Sequence, residues 1–105
     1  SISVHTGYKG LAMYASSKGA LEAFSKDTAR EWGPMGIRSN VVVPGFMATA
    51  MSSTLTDDQR NKIYARTSLK AATSIRSVAE TVAFLLSEKA ESITGQNIHV
   101  DNGTI

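Results

Sequence analysis

The run "IRSNVVVPG", Ile37 to Gly45, constrains the fold of this chain more than any other stretch. Three consecutive β-branched residues, Val41 to Val43, favour an extended backbone. Apolar side chains on successive positions point to opposite faces of a strand, so both faces want cover. That is the pattern of a strand in a parallel sheet, not of an alternating, half-solvated one. Pro44-Gly45 stops the run. The expectation is therefore a strand over Ile37 to Val43, buried on both faces, with helices packed against its sheet.

The flanking segments supply those helices. From about Ala12 to Trp32, residues Leu21, Phe24, Thr28 and Trp32 recur at helical spacing and would share one face. "GPMG", Gly33 to Gly36, ends that helix. After an irregular, methionine-rich stretch, "FMATAMSSTLT", a capping box opens a second helix. Thr56 is the cap, Gln59 stands three residues on, and Asp57 and Asp58 lie in the first turn. A third helix, "SIRSVAETVAFLLS", starts at Ser74 or Ser77, with Val78, Val82, Leu85 and Leu86 as its apolar stripe. Thr94-Gly95 is a turn and Asn97 to Val100 a short strand. The first residues, "SISVHTG", read as the end of a strand entering a loop, so the chain is expected to begin within a larger fold. Strand, helix, strand, helices, strand is an α/β order with a parallel sheet and helical crossovers. Residues 1–105 form a single segment without internal repeat or linker.

Composition narrows the function classes. The 105 residues carry a net charge of only +2 and their basic residues are scattered, which argues against a nucleic-acid or membrane-surface partner. No apolar run has the length of a membrane span. Cysteine is absent, which excludes disulfides and thiolate chemistry and fits a cytoplasmic setting. No histidine or carboxylate grouping has metal-ligand spacing, so no metal is expected. Asp57 and Asp58 answer to the helix dipole, Asn40 and His99 read as structural, and His5 either borders the substrate cleft or, as loop histidines more often are, is merely solvated. Trp32 and Phe24 read as core or interface residues, since no basic patch makes them a stacking platform.

The chemistry-bearing stretch is "MYASSK". Tyr14 and Lys18 stand four apart, hence on one face of a helix. A phenol ionises near pH 10, and a neighbouring cation lowers that value. Such a pair can donate a proton to a carbonyl oxygen or take one from an alcohol. Ser1, thirteen residues before Tyr14, offers a hydroxyl to hold the substrate oxygen. Taken alone, the spacing also describes an ordinary surface pair.

Together these residues resemble the short-chain dehydrogenase/reductase family. "YASSK" matches its Tyr-x-x-x-Lys signature, and Ser1 stands at the spacing of its substrate-orienting serine, with Ser3 too close to Tyr14 for that role. "IRSNVVVPGFMAT" resembles its strand ending in Pro-Gly and followed by a nicotinamide-binding threonine. "SITGQNIHVDNG" resembles its last strand. The resemblance runs over essentially the whole chain.

It implies the C-terminal half of a Rossmann-like doubly wound parallel sheet, and hydride transfer between NADP or NAD and a ketone or secondary alcohol. Tyr14 would be the acid/base. Lys18 would tune it and bind the nicotinamide ribose, and Ser1 would hold the reacting oxygen. Pro44, Gly45, Met47 and Thr49 would line the nicotinamide site, with Met47 to Thr56 as a substrate lid. "FSKDTAREWG" and "LTDDQR" lean towards the 3-oxoacyl-[acyl-carrier-protein] reductases. That branch carries a basic residue where Met35 stands here, which argues against docking of an acidic carrier protein. The implied partners are a small-molecule or acyl-thioester substrate, and either further copies of the chain or a complementary N-terminal half. The family's glycine-rich cofactor turn and its catalytic asparagine have no counterpart in these residues. Two other readings follow: a non-catalytic, self-associating half-domain, and a reductase of a sugar, steroid or other small alcohol.

Overall fold

A computed structural model describes residues 1–104, the side chain of Met51 apart. The chain is a mixed helix–strand structure built on a small parallel sheet. Its elements run α1 (Ser3–Thr6), α2 (Ala12–Trp32), β1 (Val41–Pro44), α3 (Asp57–Ala65), α4 (Ile75–Leu86) and β2 (Asn97–Val100). Short 3-10 turns lie at Gly33–Met35, Ala50–Ser52 and Glu88–Ala90. β1 and β2 pair in parallel, with Val41 opposite Asn97 and Pro44 opposite Val100. Their connection carries α3 and α4, as a parallel pair requires.

The ladder explains why a strand can end in proline. Val41 N–H donates to Gln96 O at 2.9 Å and Gly45 N–H to Val100 O at 3.0 Å. Pro44 falls on the alternate position, facing away from β2, where a missing N–H removes no ladder bond. Its carbonyl instead accepts Ile2 N–H at 3.4 Å, which brings the start of the chain to the end of β1.

Two expectations about strands need correcting. "SISVHTG" is not a strand end: Ser3–Thr6 form one helical turn, closed by Gly7 in the left-handed region. The other strand is shorter than Ile37 to Val43 and begins at Val41. Residues before it serve other bonds. Arg38 reaches the carbonyls of Leu85 (2.8 Å) and Ser87 (3.3 Å) at the C-terminus of α4, where a cation meets the negative end of the helix dipole. Ser39 O accepts Gly95 N–H at 2.7 Å. Asn40 donates to Ile93 O at 2.9 Å and accepts Gln96 N–H at 3.1 Å, a structural tie. Nor is the strand buried throughout: Val43 is fully buried, but Val41 and Val42 are half-buried. Among the described residues no strand pairs with the far edge of β1.

The helices show what the apolar pattern can and cannot predict. α2 has the expected span, yet Leu21, Phe24 and Trp32 are exposed and the buried residues are Ser25 and Ala29. Small side chains let the helix come close. Ser25 Oγ meets Ser39 Oγ at 2.8 Å, beside β1. In α4, Leu85 is buried but Leu86 and Val82 are exposed, so the stripe is narrower than expected. Ser74, not Ser77, is its cap, accepting Ser77 N–H at 3.2 Å. The capping box of α3 forms as expected: Gln59 N–H donates to Thr56 Oγ1 at 3.2 Å, and Thr56 N–H to Gln59 Oε1 at 2.9 Å. Its surface pair Asp58–Lys62 closes at 3.3 Å. Among the described residues no helix is long and apolar enough to cross a membrane, and no grouping of His, Asp or Glu could hold a metal ion.

Candidate active site

Three chain segments meet at the C-terminal ends of the two strands. The first is Ser1 to Ser3. The second is the opening of α2, where Tyr14 and Lys18 stand one turn apart. The third is the turn that leaves β1, Pro44 to Met47. Two clefts of about 300 Å³ each open there. They share Ser1, Tyr14, Pro44 and Gly45 as a common wall. One cleft continues past Lys18 and Leu21 to Met47. The other is lined almost wholly by apolar groups, among them Tyr8, Leu11, Phe46 and Ile63. A group held between Ser1 and Tyr14 would thus face a cation-bearing cleft on one side and an apolar cleft on the other.

Within this corner the Lys18 ammonium lies 5.5 Å from the centre of the Tyr14 ring, inside the range of a cation–π contact. Among the described residues Lys18 forms no ion pair, so its three donors remain for a ligand. Tyr14 is half exposed, at 45%, and lines both clefts. The Ser1 hydroxyl accepts Ser3 N–H at 3.2 Å and pairs with Ser3 Oγ at 2.9 Å. If Ser3 donates in that pair, the proton of Ser1 is left for an oxygen in the cleft. Ser3, set aside on spacing, is therefore the local partner of Ser1.

Gly45 is required by close packing. A Cβ there would stand 2.5 Å from Thr73 Oγ1 and 2.8 Å from Asp101 Cα. Glycine lets the turn leaving β1 lie against Asp101 at the end of β2, which keeps Pro44 and Met47 on the cleft wall.

Of the residues singled out from sequence, Ser1, Tyr14, Lys18, Pro44, Gly45 and Met47 come together around the Lys18 cleft. Thr49 is placed apart from both clefts. It caps the Ala50–Ser52 turn, its N–H donating to Ser52 Oγ at 2.9 Å. The stretch from Met47 to Thr56, read as irregular, thus contains a 3-10 turn, held from outside by Arg60 donating to Ser52 O at 3.1 Å.

Several contributors were not visible in the sequence. Tyr8 forms a wall of the apolar cleft, and the Arg66 guanidinium lies 5.1 Å from its ring centre at the end of α3. His5 is not merely solvated: its Nε2 lies 3.0 Å from Glu22 Oε1, and its ring meets the His99 ring edge-on at 4.8 Å. The signal for Glu22 was its place four residues after Lys18, on the same helix face as Tyr14. Nothing local marked Tyr8 or Arg66.

A family model described as enoyl-(acyl carrier protein) reductase matches residues 1–104. The chain is 44% identical over 97 residues to the 3-oxoacyl-[acyl-carrier-protein] reductase FabG of Escherichia coli (strain K12), covering 92% of this chain and 40% of that protein. The Salmonella typhimurium protein of the same name is also 44% identical over the same shares, and that of Staphylococcus epidermidis is 40% identical. The chain therefore spans 40% of the length of these curated relatives.

Proposed function

The chain belongs to the short-chain dehydrogenase/reductase family, and we propose that it is the catalytic, C-terminal half of an NAD(P)-dependent oxidoreductase acting on a ketone or secondary alcohol. The proposed substrate class is a 3-oxoacyl thioester. The observation that carries this reading is the convergence of Ser1 and Tyr14 on a wall shared by two unlike clefts, with Lys18 lining one of them.

The residues present fit the nicotinamide–ribose end of a dinucleotide. Among the described residues the donors of Lys18 are unpaired and suit ribose hydroxyls, and Pro44, Gly45 and Met47 offer a mostly uncharged wall beside it. When bound, a reduced nicotinamide supplies the hydride to the carbonyl carbon. The chain's own groups handle the oxygen. The Ser1 hydroxyl donates a hydrogen bond to it. The Tyr14 hydroxyl gives it the proton that completes the alcohol. The Lys18 ammonium stabilises the phenolate left behind, and the phenolate regains its proton from solvent. In oxidation the same steps run backwards, with Tyr14 taking the alcohol proton. The apolar cleft past Tyr8, Leu11 and Phe46 suits the acyl body of the substrate, and the names of the 40–44% identical relatives favour a 3-oxoacyl thioester over a sugar or steroid.

Thr49 is retained as a cofactor ligand only in a form where the Ala50–Ser52 turn opens, and Met47 to Thr56 is the segment that would close over substrate. The two strands are taken as the C-terminal edge of a doubly wound sheet. Its remaining strands, on a complementary half, would cover the free edge of β1. Self-association would cover the apolar faces of α2, and a cytoplasmic location follows from the same reading.

The test is NAD(P)H-dependent reduction of a 3-oxoacyl thioester by the protein that carries this chain. Tyr14→Phe is expected to lower the rate by about 10²- to 10⁴-fold, the span of a positioned general acid. Unchanged turnover in the variant overturns the assignment of roles.

A further inference from the structure

The mechanism leaves one nearly buried ionisable group unused. Glu22 lies on α2 one turn beyond Lys18 and two beyond Tyr14, with its side chain 11% exposed. A carboxylate so far from water needs partners, and Glu22 has one for each oxygen. Oε1 is 3.0 Å from His5 Nε2, and Oε2 accepts from Asn97 Nδ2 at 3.1 Å. Those partners belong to α1 and to β2. Glu22 is thus the point where the helix carrying Tyr14 and Lys18 is fastened both to the sheet and to the segment carrying Ser1.

That segment needs fastening. α1 is a single turn with no side-chain cap, and a helix of that length is unstable by itself. Its position is set by ties at its two ends. At the start, Ile2 N–H donates to Pro44 O at 3.4 Å, a long bond. At the end stands the 3.0 Å contact of His5 with Glu22. Between them lie Ser3 and the two bonds it makes to the Ser1 hydroxyl. The far side of His5 is bounded by the His99 ring at 4.8 Å, which is itself held by Asp101, with Nδ1 and Oδ2 3.5 Å apart.

We propose that Glu22 is a positioning residue of this site: by gripping His5 and Asn97 with separate oxygens, it sets where α1 presents the Ser1 hydroxyl beside Tyr14. The inference rests on the reading of Ser1, Tyr14 and Lys18 as the reacting groups. It adds a residue that touches neither substrate nor cofactor.

A double-mutant cycle tests it in the protein that carries this chain. Glu22→Leu removes both bonds while filling the space. It is expected to lower kcat for ketone reduction roughly tenfold to a hundredfold, the usual effect of an ångström-scale misplacement, and to leave KM for the cofactor unchanged. Glu22→Gln keeps a carbonyl for Asn97 and recovers most of the rate. In a Ser1→Ala background, Glu22→Leu has almost no further effect, because the hydroxyl it positions is gone. Equal losses in both backgrounds overturn the proposal and leave Glu22 a purely structural role. If Glu22→Leu does not fold, His5→Phe takes its place in the same cycle with the same expectation.

A readout independent of turnover separates this inference from the reading it rests on. The Ser3 amide proton, bonded to the Ser1 hydroxyl, is expected to shift in the NMR spectrum of Glu22→Leu or His5→Phe while the amides of α3 stay put. An unmoved Ser3 amide overturns the role of Glu22. A wild-type protein that reduces no ketone counts instead against the catalytic reading.

Discussion

The corner around Ser1, Tyr14 and Gly45 and the outward face of α2 are built from the same helix and differ in almost every respect. In the corner, each segment is tied to another by specific polar contacts. Ser1 is held by Ser3, His5 by Glu22, Asn97 by Glu22, and Ile2 by Pro44. On the outward face, Leu21, Phe24 and Trp32 are exposed and large. The difference shows where this chain gets its geometry. Its core is small, with Val43 the only large side chain fully buried among the described residues, so hydrogen bonds between elements fix the site. The big apolar side chains of α2 contribute little within the chain itself.

Two substitutions set the regions against each other. Val43→Asp places a charge with no partner at the centre of β1 and is expected to cost about 3–5 kcal/mol, enough to abolish cooperative unfolding in denaturant. Survival of a normal transition would mean that β1 is not the organising strand. At the other extreme, Phe24→Ser is expected to change stability in dilute solution by less than about 0.5 kcal/mol, as for other surface positions. A loss that grows with protein concentration would assign the face to self-association. A large loss at every concentration would mean that the face is covered within the folded chain, and the comparison would fail.

The same contrast explains what could be read from the sequence. Features set by neighbours along the chain were legible. They include the span of α2 and its stop at Gly33, the Thr56–Gln59 box and the limits of β2. Tyr14 and Lys18 were legible because one helical turn places them together. Features set across the fold were not. Helical periodicity found the apolar stripe of α2, but close approach to the sheet buried the small residues Ser25 and Ala29 on the flank of that stripe. The helical turn of α1 is bonded to Pro44 and Glu22, both distant in sequence, and the residues themselves suggested only a strand end. The joining of Glu22 to His5 and to Asn97 spans 17 and 75 positions of sequence, which no local pattern encodes. Thr49 shows the converse: its place in a motif pointed to the cleft, while its N–H is engaged with Ser52 in a turn outside it.

The central claim is that the cleft running from Ser1 past Lys18 to Met47 receives the nicotinamide end of the cofactor. The most direct measurement is amide chemical-shift mapping as NADPH is added to the protein that carries this chain. The account predicts shifts at Lys18 and at Gly45 to Met47, with the resonances of Asp57, Asp58 and the exposed face of α4 unmoved. Saturable shifts that leave Lys18 and Gly45 untouched would contradict it.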